Sequence, residues 1–211
     1  VVYLADDYAN SAGNFHALSD DVRQNWLPAA YQDRTVYYRA DQALDSGDEM
    51  RAAIKGEFNQ GAVYLQWFGH ANENRWGSIS MYNIYDPPNL LANSAVPFVA
   101  HFSCWTGYFH DPLNPYGTGQ SLAEVMTLQP GRSTIADLAP SGQHLGSALS
   151  VLDKGLTLAI FRDRIRRVGD AADAARQYFY ENSNSYHDVI DTSILFGDPA
   201  AKLRLPILRP T

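Results

Sequence analysis

One cysteine, Cys104, stands in 211 residues. An intrachain disulfide is therefore impossible, and zinc signatures that take two or more cysteines are excluded. Sixteen Lys and Arg against twenty-three Asp and Glu leave a net charge of -7, the wrong sign for a general nucleic-acid binder. No apolar run approaches the roughly 20 residues that a membrane span needs. No low-complexity segment, solenoid-period repeat or clear interdomain linker interrupts the chain. There is no starting Met and no basic leader; the chain opens on Val1-Val2-Tyr3-Leu4-Ala5, inside what reads as a strand. It is read as a single domain over 1–211, a processed product or an excerpt of a longer protein. With 45% hydrophobic residues, it is long enough to bury a core without staples. The lone thiol is then either an inert core residue or a nucleophile.

Apolar runs of strand length alternate with amphipathic stretches. Val1–Ala5, Thr35–Arg39, Ala62–Phe68, Pro97–Ser103, Ser133–Leu138 and Ser193–Phe196 read as strands. Phe15–Ala30 reads as a helix ending near Pro28. In Asp48–Asn59, Met50, Ile54 and Phe58 recur four apart on one helical face, with Ser46 or Asp48 as cap. Ser121 and Glu124 form a capping box for a helix over Ser121–Thr127. Leu145–Arg167 reads as one long helix with a basic end, and Asp170–Asn182 as another. Gly69–Asn93, with a short helix near Leu90-Leu91, and Trp105–Gly119 read as loops. Alternating strands and helices predict an α/β fold, a mostly parallel sheet with helices on both faces. Sites in such sheets form beyond the C-terminal strand ends. Three ends deliver reactive residues: Asp6 and Asp7, then Gly69-His70, then Cys104.

If the strands that end in His70 and Cys104 are neighbours, the two residues face one another across about 4.8 Å. An imidazole can then take the thiol proton and return one to a leaving amine. Asp6 or Asp7 can orient the ring; a solvated turn or a calcium ligand is the plainer role for these two. Backbone N–H groups just past His70 and at Cys104 can form an oxyanion hole. His101 and His110 flank the cysteine as H-x2-C-x5-H. On a strand His101 is an odd step from Cys104 and on the opposite face, so no metal site is read there. The aromatics Trp67, Trp76 and Trp105 read as core or pocket wall; a carbohydrate-stacking surface is the alternative.

The segment Gly61–Ala71 (GAVYLQWFGHA) with Trp76-Gly77 resembles the histidine segment of the gingipain family of cysteine peptidases. Asn93–Gly107 (NSAVPFVAHFSCWTG) is similar to the family's nucleophile segment. Phe196-Gly-Asp-Pro199 is similar to the close of its catalytic domain. The resemblance implies a caspase-like three-layer sandwich and a cysteine endopeptidase. Cys104 is then the nucleophile, His70 the general base and acid, and Asp6 the group that orients His70. Ala71 and Cys104 supply oxyanion N–H groups. Asp20, Trp105, Gln143 and His144 are the implied substrate-binding residues, with Asp20 suited to Arg or Lys before the scissile bond. Two flanks depart from the family: Ala71 replaces a glycine, and Ser103 and Trp105 differ from better-known members. The resemblance also implies a polypeptide substrate, an N-terminal α/β subdomain of the same precursor as partner, and an extracellular or bacterial cell-surface location. No cofactor is required for the chemistry, and structural calcium is admitted without assigned ligands. The competing reading is a non-catalytic binding or scaffold module.

Overall fold

The computed structural model describes residues 1–7, 12–39, 44–110 and 119–207. In chain order the elements are β1 (Val2–Ala5), α1 (Phe15–Asn25), β2 (Arg34–Tyr37), α2 (Gly47–Gln60) and β3 (Tyr64–Phe68). A small meander follows: β4 (Ala71–Asn72), β5 (Arg75–Trp76) and β6 (Tyr82–Asn83). Then come β7 (Phe98–Phe102), α3 (Leu122–Thr127), β8 (Ala136–Pro140), α4 (Gly146–Thr157), α5 (Val168–Asn182), α6 (Asp188–Thr192) and β9 (Ser193–Gly197). The main sheet runs β2-β1-β3-β7-β8-β9. Its first five strands are parallel and β9 closes it antiparallel to β8.

Strand alternation divides the core into two layers. Tyr3, Ala5, Tyr64, Phe68, Phe98 and Phe102 point to one face, where α1, α4 and α5 cover them with Phe15, Leu149, Leu156 and Phe179. Val2, Leu4, Leu65, Trp67 and Val99 point to the other, under Met50, Ile54 and Phe58 of α2 and Leu122 and Met126 of α3. Central strands buried on both faces read as near-continuous apolar runs, as parallel strands between helices must. Two layers of helices over one mostly parallel sheet make the predicted three-layer α/β sandwich.

The helix starts follow their caps. Asn14 Oδ1 accepts the Ala17 N–H at 3.1 Å at the head of α1. Ser46 with Glu49 and Ser121 with Glu124 form reciprocal capping boxes on α2 and α3. Helix α1 stops at Asn25, short of the predicted Ala30, because Leu27 precedes Pro28 and is biased away from helix. The predicted helix over Leu145–Arg167 is also shorter. Helix α4 ends at Thr157 and passes into a π-helical turn over Leu158–Arg162. There the Asp163 N–H reaches back five residues to Leu158 at 2.9 Å. Arg164 then takes a left-handed φ of 57°, held by the Tyr31 hydroxyl at 2.8 Å and the Pro206 carbonyl at 3.0 Å. The meander β4-β5-β6 and helix α6 fall in stretches read as loop or left unassigned. Strand β8 lies at Ala136–Pro140, displaced toward the site from the expected Ser133–Leu138. Of the loop predicted over Trp105–Gly119, residues 111–118 lie outside the described residues.

Ser46→Ala removes one half of the α2 capping box, and urea unfolding should register a loss of about 1 kcal/mol. A change within error would mean that water replaces the cap without cost.

Candidate active site

The site begins with a register. Phe68 of β3 is paired with Phe102 of β7, and the Gly69 N–H extends that ladder to the Phe102 carbonyl at 3.2 Å. His70 and Cys104 are each two residues past the Phe68–Phe102 pair. They emerge side by side from adjacent strands, on the face that carries those two phenylalanines. The neighbouring of β3 and β7, which sequence alone left conditional, is thus present. The His70 ring rests edge-on against Phe15 of α1, with centroids 5.2 Å apart. The Cys104 thiol lies 3.7 Å from the His144 carbonyl oxygen, to which it donates. Burial pushes this thiol above its ordinary value. A thiol raised in this way would act as a nucleophile only with a base beside it.

Asp6 follows β1, with its N–H on the Phe68 carbonyl at 3.0 Å. Its side chain is buried, and the Asp7 N–H donates to its Oδ1 at 2.8 Å. Burial raises the carboxyl's pKa, while the backbone N–H groups of Asp7, His70 and Ser78 and the charge of His70 pull it back in part. Asp6 is thus in electrostatic contact with His70. Asp7 instead pairs with Arg39 at 3.3 Å. The strands crowd here: a Cβ on Gly69 would stand 2.4 Å from Cβ of Asp6, so only glycine fits before the histidine.

The backbone around His70 is held from several directions. Its carbonyl accepts the Gly77 N–H at 2.8 Å and the Trp67 indole N–H at 3.1 Å. In the β4-β5 hairpin Ala71 lies opposite Trp76. Because the neighbouring Gly77–His70 bond belongs to a hydrogen-bonded pair, alternation leaves the Ala71 N–H turned away from β5. Ala71 is not in the left-handed region, so alanine occupies the glycine position of the resembling family without backbone strain. A cleft of about 230 Å³ opens here, lined by His70, Ala71, Asn72, Arg75, Gly77 and Ser78.

After Cys104, Trp105 has φ 64°, a strain of about 1–3 kcal/mol for a non-glycine residue. Its N–H donates to the Gly142 carbonyl at 3.0 Å, while the Cys104 N–H has no acceptor among the described residues. The N-terminus of α3 holds the loops that follow His70 and Cys104. The Leu122 N–H donates to the Glu73 carbonyl at 2.7 Å and the Ala123 N–H to that of Thr106 at 3.0 Å. These are orphan donors of a helix start put to use.

The implied substrate-binding residues separate into two groups. Trp105, Gln143 and His144 are gathered beside Cys104 by the Trp105–Gly142 and Cys104–His144 contacts. Asp20 is elsewhere, on α1, where its Oδ1 accepts from Arg23 Nε at 3.0 Å and the Tyr37 hydroxyl at 3.1 Å. His101 does face away from Cys104, as its odd step requires. Among the described residues no cluster of three or more His, Cys, Asp or Glu is arranged to hold a metal ion. Missed in the sequence were Thr192 and Asp188, which engage the His144 ring at 2.7 Å and 3.5 Å. No local pattern joins residues so far apart.

The His144 ring is buried and its pKa is lowered by burial, with Asp188 opposing in part. A histidine depressed in the folded state is protonated first in the unfolded chain. Its penalty is absent above about pH 6.5 and grows as the pH falls below that value. His144→Gln should therefore lose less stability than the native chain between pH 7 and pH 5 in urea unfolding. Equal losses in both proteins would remove His144 as the titrating group.

The fold and this arrangement have parallels. The family model described as peptidase family C25 matches residues 1–204. Among solved structures, the Arg-specific cysteine proteinase gingipain R superposes with a TM-score of 0.68 at 16% identity, over 96% of this chain and 47% of that one. The complex of Porphyromonas gingivalis RgpB pro- and mature domains gives 0.69 at 17% identity, over 96% and 48%. A structure described as a protease gives 0.64 at 12%, with the same coverage of 96% and 48%. This chain thus spans about half the length of each of these three. No curated protein matches. The superpositions establish the caspase-like fold, and the family match over nearly the whole length decides membership: the chain belongs to peptidase family C25, the gingipain family.

Proposed function

We propose that this chain is the catalytic half of a cysteine endopeptidase. The observation that carries the reading is the register that brings His70 and Cys104 to matching steps beyond β3 and β7, in a chain of a cysteine peptidase family. His70 takes the proton from the neutral Cys104 thiol, and the thiolate attacks the scissile carbonyl carbon. The carbonyl π electrons move to oxygen, where the N–H groups of Cys104 and Ala71 receive the negative charge. On collapse the C–N bond breaks, His70 protonates the departing amine, and an acyl-enzyme remains. Water, deprotonated by His70, then releases the acid and restores the thiol. The electrostatic contact of Asp6 with His70 stabilises the imidazolium formed twice in this cycle. The partner is an N-terminal α/β subdomain of the same precursor, consistent with the twofold length of the gingipain chains. An extracellular or cell-surface setting rests on the same likeness.

Intact-mass analysis with peptidyl acyloxymethyl ketones bearing Arg, Lys, Asp or Leu tests the pair. One adduct per chain on Cys104, lost in His70→Ala, is expected, and Cys104→Ala should turn over no peptide. His70→Ala should lower turnover about 10²- to 10⁴-fold. A folded chain that takes no label, while its thiol alkylates freely after unfolding, would establish the scaffold module instead.

Cleavage after basic residues is the finer form of this reading, and Asp20 is its natural anchor. An arriving guanidinium would have to displace Arg23 and Tyr37 from that carboxylate. The contacts therefore favour a structural Asp20. Asp20→Asn should leave the ratio of kcat/KM for Arg over Leu peptides unchanged while lowering stability. A fall in that ratio of about tenfold or more would assign Asp20 to the substrate.

A further inference from the structure

A parallel ladder fixes strand ends only as far as its last hydrogen bond, and both reactive residues stand beyond it. Something else must hold the hairpin after His70 against the strand that carries Cys104. Trp76 occupies that position. Its backbone belongs to β5, directly before the Gly77 N–H that holds the His70 carbonyl. Its ring lies flat on Trp67, with centroids 5.4 Å apart and planes 5° from parallel. Trp67 is the second donor to that same carbonyl. The Trp76 indole N–H donates to His101 Nδ1 at 3.0 Å, and His101 is on β7, three residues before Cys104. His101 Nε2 in turn lies 3.2 Å from Asp137 Oδ1 on β8, and Asp137 Oδ2 accepts the Thr127 hydroxyl at 2.8 Å. The Trp76, His101 and Asp137 side chains are all buried.

The proton positions follow from chemistry. An indole N–H is a donor only, so His101 Nδ1 must be the acceptor and the ring proton must be on Nε2, where it donates to Asp137. From the Trp76 N–H through both His101 nitrogens to Asp137 Oδ1, every polar atom is thereby used once and in one sense. A buried histidine whose tautomer is fixed at both ends is a rigid spacer between β8, β7 and the hairpin.

We infer that Trp76, His101 and Asp137 form a positioning relay that ties the His70 hairpin to the nucleophile strand and sets the aim of the base at the thiol. The inference rests on the proposed Cys104–His70 pair. The three residues touch neither substrate nor thiol, and they act through the backbone on either side of His70.

Trp76→Phe removes the N–H and keeps an aromatic ring on Trp67. In the intact chain, assayed with any partner subdomain it has, kcat should fall about 10- to 100-fold with KM within about twofold, as expected for misplacement near 1 Å. His101→Gln retains an acceptor for Trp76 and a donor for Asp137, and it should recover most of kcat; His101→Leu should not. A second readout is independent of turnover. In ¹⁵N spectra of histidine-labelled protein, native His101 should show one acceptor-type nitrogen and one protonated nitrogen. The His70 titration should shift in Trp76→Phe and His101→Leu and return toward native in His101→Gln. An unchanged His70 titration in a folded Trp76→Phe chain would overturn the relay, whatever its activity. A native chain that cleaves nothing would count against the peptidase reading alone, and the His70 shift in the variants would still support the relay.

Discussion

The pairing of β3 with β7 is the constraint on which everything else in this molecule depends. Five residues of each strand are in parallel register, Tyr64 against Phe98 through Phe68 against Phe102. A shift of one residue would turn Tyr64 and Phe68 from one helical layer to the other and Trp67 the opposite way. Both layers are densely filled, so the register has no alternative of comparable packing. His70 and Cys104 inherit their alignment from this hydrophobic specification. His70 and Cys104 do not seek one another out; Phe68 and Phe102 deliver them. That economy also explains the crowding at Gly69, where the backbone passes Asp6 too closely for any side chain.

Beyond the ladder the structure turns to short-range devices, each with a separate physical origin. Orphan N–H groups at the start of α3 hold Glu73 and Thr106. An indole and a hairpin amide hold the His70 carbonyl. Left-handed backbone at Trp105 turns the chain sharply after the thiol. None of these is strong alone. Together they fix two loops whose strands could not position them.

The fold was legible where one local rule acted without competition. The spacing of Met50, Ile54 and Phe58 located α2, and the Ser121-x-x-Glu124 box located the start of α3. The parity of His101 against Cys104 correctly placed the histidine on the far face. Legibility failed where distant residues decide the outcome. Helix α4 gives way to a π turn in a stretch with unbroken helical composition, and Arg164, not a glycine, takes the left-handed turn because Tyr31 and Pro206 hold it. The two-residue strands of the meander are too short to show any period. At the site, Asp6, His70 and Cys104 could be read from strand ends. The engagement of Asp20 by Arg23 and Tyr37 could not, since Tyr37 arrives from β2. Trp76 stood out in the sequence as an aromatic and as part of the histidine segment; its pairing with His101 on β7 exists only in three dimensions.

Strand β9 gives the Cys104 loop its backing. The Gly107 N–H donates to the Pro140 carbonyl at 2.8 Å, and a Cβ at Gly107 would press within 2.9 Å of the Ala139 oxygen and 2.8 Å of the Phe196 ring. Phe109 meets Phe196 at 6.0 Å between centroids. Phe196 belongs to β9, which leaves the ribosome long after Cys104 has emerged. Domains fold as units while synthesis proceeds from the N-terminus, so the wall behind the thiol is missing until β9 has emerged. A nascent chain thus carries its cysteine without the surface that shapes the loop around it, and the order of synthesis makes that loop one of the last parts of this fold to take shape.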